Sequence, residues 1–454
     1  MRLLPLLSVL PLLPLGAQRV ERAPIWASAW VNSARSSVSD GPVWLGRGVT
    51  LAASAGYTGR WNRISWSARP VVYASQNAGY FPSKSRAELA GFYNDPWYPG
   101  NVDRPYRFGA DPFVDFDFGE SFARADWRYV GAGISTAAQR WGPAHLQPLL
   151  LSGQSGGFPH AFVASNAPAN IGIGTLSATW IVGRLSASGY GPSHSGTTHR
   201  LAVGATATWT PRGMKGLELG ASRFFHLYDS AAVRDVQSVL LPVSGLLKST
   251  IGNIEAGPRQ YNQLANVFFR VAPPGSPIEA YGELLRDDHN ANLRDAVGEP
   301  DHSSAWVLGL RRTVERDDAK RMLTLEFSNG RNTHLARLRG QASMYEHTRI
   351  VEGHTHRGMV LGAAGIMGGG GFSGEWQRTD AAQRSWIVGA QILRLAQDPT
   401  EGGVISGRPT GYYSLEVGRE LERRGGRWRS TLRVEPGFGD VRGVNVGLGL
   451  KVTR

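Results

Sequence analysis

Apolar side chains recur at every second position over most of this chain. In VNVGLGLKV, Val444, Val446, Leu448, Leu450 and Val452 share one face, and Asn445, Gly447, Gly449 and Lys451 the other. In RLAVGATATW, Leu201, Val203, Ala205, Ala207 and Trp209 oppose Ala202, Gly204, Thr206 and Thr208. Comparable runs occupy Leu217–Phe225, Leu264–Val271, Ile278–Leu285, Trp306–Arg311, Met322–Phe327 and Trp386–Leu393, with an early one at Ile64–Ser75. A period of two is that of β-strands with unlike faces. The apolar face often ends in Trp, Tyr or Phe, as an aromatic girdle at a membrane interface requires. A soluble propeller or sandwich is the rival, but the chain shows no blade-length repeat.

The N-terminus, MRLLPLLSVLPLLPLGAQ, carries Arg2, an apolar run to Leu15 and then Gly16 and Ala17. This reads as a leader over residues 1–17 that directs export, with residues 18–454 as the mature chain. Three prolines exclude a membrane-crossing helix there, and no other stretch holds 18 apolar residues. There is no cysteine, so neither a lipoprotein anchor nor a disulfide is available. Gly makes up 58 of 454 residues, nearly double the usual share of about 7%. A mean hydropathy of −0.24 is ordinary, as expected where lipid-facing and lumen-facing residues alternate.

Two kinds of connector separate the strand-like runs. Pro211-Arg212-Gly213 and Arg424-Gly425-Gly426 read as tight turns. Residues 76–122 and 139–170 read as long loops or plug segments, and Tyr228–Gln260 as another long connector. Within the last, Ser230–Leu247 is the best helical pattern and a candidate plug element. The fold expected is an all-β, transmembrane antiparallel barrel with loops in its lumen, because open sheet edges cannot persist in lipid.

Gly153-Gln154-Ser155-Gly156-Gly157 satisfies the G-x-S-x-G pattern of a serine nucleophile. That chemistry needs a strand before the serine and a helix directly after it. Leu149-Leu150-Leu151 offers a strand, but Gly156-Gly157-Phe158-Pro159 cannot nucleate a helix. No catalytic residue is expected, and the chain is read as a non-enzyme. His347, His354 and His356 with Glu346 or Glu352 resemble a metal set, although the third ligand has no fixed position, so no metal or cofactor is expected. RDDHNANLRD (Arg286–Asp295) lacks the glycine and terminal Glu of a calcium loop. GIMGGGG lacks the Lys-Ser/Thr of a phosphate loop and suits a strand bend.

A net charge of +13 ordinarily points to nucleic acid, but an exported chain does not meet it. An anionic surface glycan or the phosphates of lipopolysaccharide fit better. Only five of the 49 basic residues are Lys, and the Arg fork pairs bidentately with carboxylate and phosphate.

STAAQRWGPAHLQPLLLSGQSGGFPH (Ser135–His160), EAYGELLRDD (Glu279–Asp288), LEFSNG (Leu325–Gly330) and MYEHTRIVEGHTHRGMVLG (Met344–Gly362) together resemble the Wzi family of capsule-assembly outer-membrane proteins. Trp141-Gly142-Pro143 with Phe158-Pro159-His160 is the most specific element. Arg140 stands where the family usually has a first tryptophan, and Gly153-Gln154-Ser155 where it often has Asn-Asn-Ala. The helical bundle that opens the best-known members looks reduced or absent, and the chain ends Val452-Thr453-Arg454 rather than on an aromatic. The resemblance implies about 18 strands around a plug, and a lectin-like attachment of capsular or other surface polysaccharide without catalysis.

On that reading, Arg140 and Trp141 are the leading contact candidates, with His160 from the same motif and Tyr281, Glu283, His347 and Arg357 at polar lumen positions. Each has an equally weighted alternative in packing or a lumen charge ladder. The expected partners are an acidic capsular or surface polysaccharide, outer-membrane lipids and lipopolysaccharide, with no nucleic acid and a monomeric chain in the outer membrane. The alternative is a diffusion channel for small solutes, because a barrel this wide encloses a pore unless it is plugged.

Overall fold

The computed structural model describes residues 19–83, 93–192, 199–230, 235–244, 261–287, 303–331, 343–397 and 409–454. The leader at 1–17 and most of the Arg286–Asp295 stretch lie outside the described residues. The 23 segments of the main sheet form eighteen strands, because five strands are interrupted once. They are β1 (Arg19–Arg22, Trp26–Asn32), β2 (Gly48–Ser54, Tyr57–Trp61), β3 (Ile64–Ala68, Val71–Ser75), β4 (Phe113–Asp117, Phe122–Asp126), β5 (Val130–Ser135) and β6 (His160–Ser165, Ala169–Asn170). Then come β7 (Gly174–Ser186), β8 (His199–Pro211), β9 (Leu217–Tyr228), β10 (Tyr261–Val271), β11 (Ile278–Asp287) and β12 (Ser304–Arg316). The circuit ends with β13 (Ala319–Asn329), β14 (Phe372–Asp380), β15 (Ser385–Gln397), β16 (Pro409–Arg423), β17 (Gly426–Phe438) and β18 (Val444–Thr453).

Each strand pairs antiparallel with its neighbours in sequence, and β18 pairs with β1 from Trp26↔Thr453 to Asn32↔Gly447. The sheet therefore closes on itself as a barrel, the form in which a spanning sheet avoids open end strands in lipid. At the end where Trp26 meets Thr453, each connection spans six residues or fewer, as at Asn62-Arg63 and Asp317-Asp318. The long connections all leave the other end. Short turns face the periplasm and long loops the exterior in outer-membrane barrels, which orients the molecule.

The alternation in the sequence maps onto the two faces of the wall. Val444, Leu448 and Leu450 are exposed on the outside, while Asn445 between them is fully buried in the lumen. Exposed Trp61, Trp127, Tyr129 and Trp386 ring the short-turn end, and exposed Trp306, Phe327 and Tyr413 the other.

Three boundaries differ from the sequence reading. Residues 76–122 are not all loop, since Phe113–Asp117 and the start of the next segment complete β4. Residues 139–170 include β6, so the long connector ends at Pro159. In Ser230–Leu247, the described part is one helical turn at Val236–Val239, capped by Asp235, and a 3-10 turn at Leu241–Val243. That element is not in the lumen. Leu241 packs with Phe225, Leu227 and Tyr261 on the outward rows of β9 and β10, and Arg223 donates to the carbonyls of Pro242 and Ser244.

The largest apolar core lies inside the barrel. Leu149, Leu150 and Leu151, with Val102, Tyr345, Leu361 and Ile366, pack against inward residues Ile181, Phe224, Leu264, Leu285 and Val307 of the wall. Leu149–Leu151 is core filling and not a strand; among the described residues its one ladder contact is an isolated bridge from Leu151 to Trp141.

Candidate functional site

Two wall carboxylates fix the loop that carries Arg140-Trp141-Gly142-Pro143. Glu283 on β11 accepts from the backbone N–H of Ala144 at 2.8 Å and of Leu149 at 3.1 Å, and from Asn266 Nδ2 at 3.2 Å. Glu326 on β13 accepts from the N–H groups of His145 at 2.7 Å, Leu146 at 3.0 Å and Gln147 at 2.7 Å, and from the Tyr281 hydroxyl at 2.8 Å. Five backbone donors of a buried, non-helical turn thus find acceptors that no sheet or helix could supply. Gly142 sits at φ +105°, and a Cβ there would fall within the Glu283 carboxylate. Trp141 packs edge-on to Phe224 at 6.1 Å and above Gly204, where a side chain would meet its ring. The Trp-Gly-Pro motif is the geometry of this anchor.

This placement corrects several expectations. Trp141 is 4% exposed and Tyr281 1%, so neither ring offers a face to a sugar. Glu283 is buried and occupied by amide hydrogens. His160 is buried too, with Nδ1 against the carbonyl of Phe158 at 2.7 Å. Arg140 is exposed, but its Nη2 donates to the carbonyl of His145 at 3.1 Å. His347 is half-buried and its Nδ1 accepts from the N–H groups of Arg349 and Ile350. Arg357 pairs with Asp115 at 2.5 Å and Asp117 at 3.0 Å on β4. Trp141, Tyr281 and Glu283 do meet around one loop, as an anchor; Arg357 stands apart from them.

The histidines of the candidate metal set also serve the protein. His354 Nε2 donates to the carbonyl of Leu150 at 2.6 Å, leaving Nδ1 to accept from His226 Nε2 at 2.8 Å. His356 Nδ1 accepts from the Ser186 N–H at 3.0 Å. Burial holds the His354 imidazole down at about 4 and that of His356 at about 3, so both are neutral. Among the described residues, no three His, Asp or Glu side chains converge as a metal set would.

A cavity of about 140 Å³ opens beside the plug at the long-loop end. Its walls include Arg35, Trp44, Tyr80, Trp97, Arg104 and Tyr412. Asp95 builds one side: its carboxylate accepts from the N–H groups of Trp97 and Tyr98, both at 2.8 Å, and pairs with Arg104 at 2.5 Å. The Arg35 guanidinium lies 4.7 Å from the centre of the Tyr412 ring and donates to the carbonyls of Arg442 and Glu435. Glu346, beyond Arg104, is pushed up to about 8 by burial and by the Asp95 charge. Arg35, Trp44 and Tyr412 are buried in this wall, whereas Tyr80, Trp97 and Arg104 are half-buried and suit a ligand with both C–H faces and acidic oxygens.

Ser155 lines this cavity, buried, with no hydrogen-bond partner for its Oγ. Among the described residues no histidine lines the cavity with it, and Gly156–Pro159 is not helical, so the elbow context is missing. Of the cavity residues, only Gln154 and Ser155 of the G-x-S-x-G motif and Gly358–Val360 carry a sequence signal; its aromatic and arginine residues carry none. Trp97 and Arg104 lie within the Pro- and Tyr-rich 76–122 connector, whereas Arg35 and Trp44 sit in a 33–47 loop that carries no motif.

No protein-family model and no curated protein matches the chain. Among solved structures it is similar to Wzi of Escherichia coli, described as a carbohydrate-binding β-barrel outer-membrane protein involved in group 1 capsule assembly. The TM-score is 0.62 at 13% identity, over 94% of this chain and 83% of that one. It is also similar to OccK5 of Pseudomonas aeruginosa (TM-score 0.46, 9% identity, 96% and 98% covered) and OccAB3 of Acinetobacter baumannii (0.44, 9%, 95% and 98%). At such identities the likeness is one of architecture, and the fold is that of an outer-membrane β-barrel.

Proposed function

We propose that this protein holds an acidic surface polysaccharide at the exterior end of a plugged barrel and catalyses no reaction. One observation carries the reading: the lumen is packed with anchored loops, and beside them at the exterior end lies a cavity walled by aromatic rings and arginines. A plug locked by two wall carboxylates suits a fixed binding platform better than a solute path. Each contact to a sugar is weak, and affinity comes from many repeats of one polymer meeting the site. The carbohydrate binding described for the Wzi structure agrees with this reading.

The direct test is binding of isolated surface polysaccharide to the detergent-purified protein at rising salt. Binding that weakens with salt, and that is lost in Trp97→Ala with Arg104→Ala, supports the reading. Salt-independent binding that these changes leave intact contradicts it. The channel alternative requires a large, steady single-channel conductance in planar bilayers.

A further inference from the structure

The barrel wall has a gap in its exterior half. β5 has six residues and the first segment of β6 also six, beside thirteen in β7. Six residues at about 3.3 Å each, tilted about 40°, climb roughly 15 Å of an apolar band about 25 Å tall. The β5 ladder to β4 covers only Phe122–Asp126, and the β6 ladder to β7 ends at His160↔Gly183. The Arg184 N–H still reaches the Pro159 carbonyl at 2.9 Å; above that level, among the described residues, Phe113–Asp117 of β4 and Leu185–Ser186 of β7 face each other with no strand between them. Unpaired edges at that depth are prohibitive in lipid unless something else meets them.

A hairpin from the plug does so. Thr355–His356 pairs with Met359–Val360 around Arg357 (φ 51°) and Gly358 (φ 78°), a two-residue turn with both positions left-handed. On the β7 side, the Arg357 N–H donates to the Ser186 carbonyl at 2.8 Å, and the Ser186 N–H donates to His356 at 3.0 Å. On the β4 side, the Arg357 guanidinium donates to the Phe116 carbonyl at 3.2 Å and pairs with Asp115 and Asp117. One residue thus bridges both edges of the gap. Outside this bridge lies a recess of about 560 Å³, mostly apolar, walled by Phe118, Phe122, Ile134, Pro159, Ala161 and Val182. Phe118 and Ile134 are among the most exposed apolar residues of the wall. Arg184, whose side chain is 54% exposed, stands at the upper rim and lies 3.4 Å from Asp229.

We propose that the gap between β4 and β7 is a lateral portal for an acyl chain of an anionic outer-leaflet lipid, with Arg357 as its bolt. The recess faces the acyl layer of the bilayer. Arg184 places a cation where a phosphate headgroup would lie above a chain seated against Ile134 and Ala161. The ion pairs of Arg357 to Asp115 and Asp117 keep that chain out of the lumen.

The test places the full-length protein in vesicles of phosphatidylcholine and phosphatidylglycerol doped with a phospholipid carrying a diazirine along its acyl chain. After irradiation, labelled residues are mapped by mass spectrometry. Label several-fold richer at Ile134, Ala161 and Val182 than at Leu323 and Val388 on the opposite wall is expected, and Ala161→Trp should abolish that excess. In the double variant Asp115→Asn, Asp117→Asn, label should reach Phe158 and the Arg357 turn inside the lumen. Arg357→Lys, which keeps the charge and loses the fork, supplies a second variant, and heat-modifiable gel migration checks that each barrel is folded. Even labelling around the wall, or a plug that stays unlabelled in folded variants, overturns the proposal.

Discussion

Glu283 Oε1, on a wall strand, accepts the amide hydrogen of Ala144, 139 residues earlier in the chain, at 2.8 Å. With Glu326 it turns a polar loop into a fixed filling of the lumen. Removing one such acceptor strands several buried N–H donors at once. Glu326→Ala is therefore expected to destabilise the plug by about 1.5–3 kcal/mol or more, since each bond to a charged acceptor is worth about that range. Limited proteolysis should show cleavage within 142–151 in the variant while the barrel keeps its heat-modifiable migration. An equally protected loop would mean that the carboxylates are incidental.

Gly142 has the left-handed φ of +105° and lies against Glu283. Gly142→Ala should therefore loosen the same loop through both strain and displaced carboxylate. Loss comparable to that of Glu283→Gln is expected in the same protease assay, and the double variant should add little, because both act on one contact. Full additivity would place the two effects at separate sites.

The strands were legible in the sequence because a membrane wall imposes one chemical demand on every second residue. Val444, Leu448 and Leu450 needed no partner to be read. The resemblance to the Wzi family added the strand number and the plug. The contact candidates fared differently, because an aromatic or a carboxylate reads the same whether it meets a ligand or a loop. Trp141 and Glu283 meet each other's surroundings, and only the positions of Gly204 and Ala144, far away in sequence, show it. Helical pattern at Ser230–Leu247 likewise gave no sign of which side of the wall it covers.

His354 makes the plug acid-sensitive. Its Nδ1 accepts from His226, so a proton added there would set two N–H groups against each other. Burial holds the folded imidazole at about 4, against about 6.5 in an unfolded chain, so the unfolded chain binds the proton first as pH falls. This contribution is fully present above about pH 6.5 and is lost as pH falls toward about 4, up to about 3 kcal/mol. Protease protection of the 344–362 segment should fall between pH 7 and pH 5 before the barrel itself yields. Unchanged protection across that range would show that the histidine pair tolerates the charge.

Trp97 and Arg104 stand on opposite chemistry within one cavity wall, both ordered by Asp95. Trp97→Ala should weaken glycan binding at all salt concentrations, whereas Arg104→Gln should weaken it most at low salt and flatten the salt dependence. Identical salt profiles for the two variants would contradict the division of roles.

On the proposed function, this plugged barrel keeps an acidic polysaccharide on the cell. The most direct measurement is the amount of surface polysaccharide bound to cells and released to the medium, with and without the gene. Loss of cell-bound polymer, with release to the medium continuing, is the predicted result. Cell-bound polymer that stays unchanged in the deletion strain would contradict it.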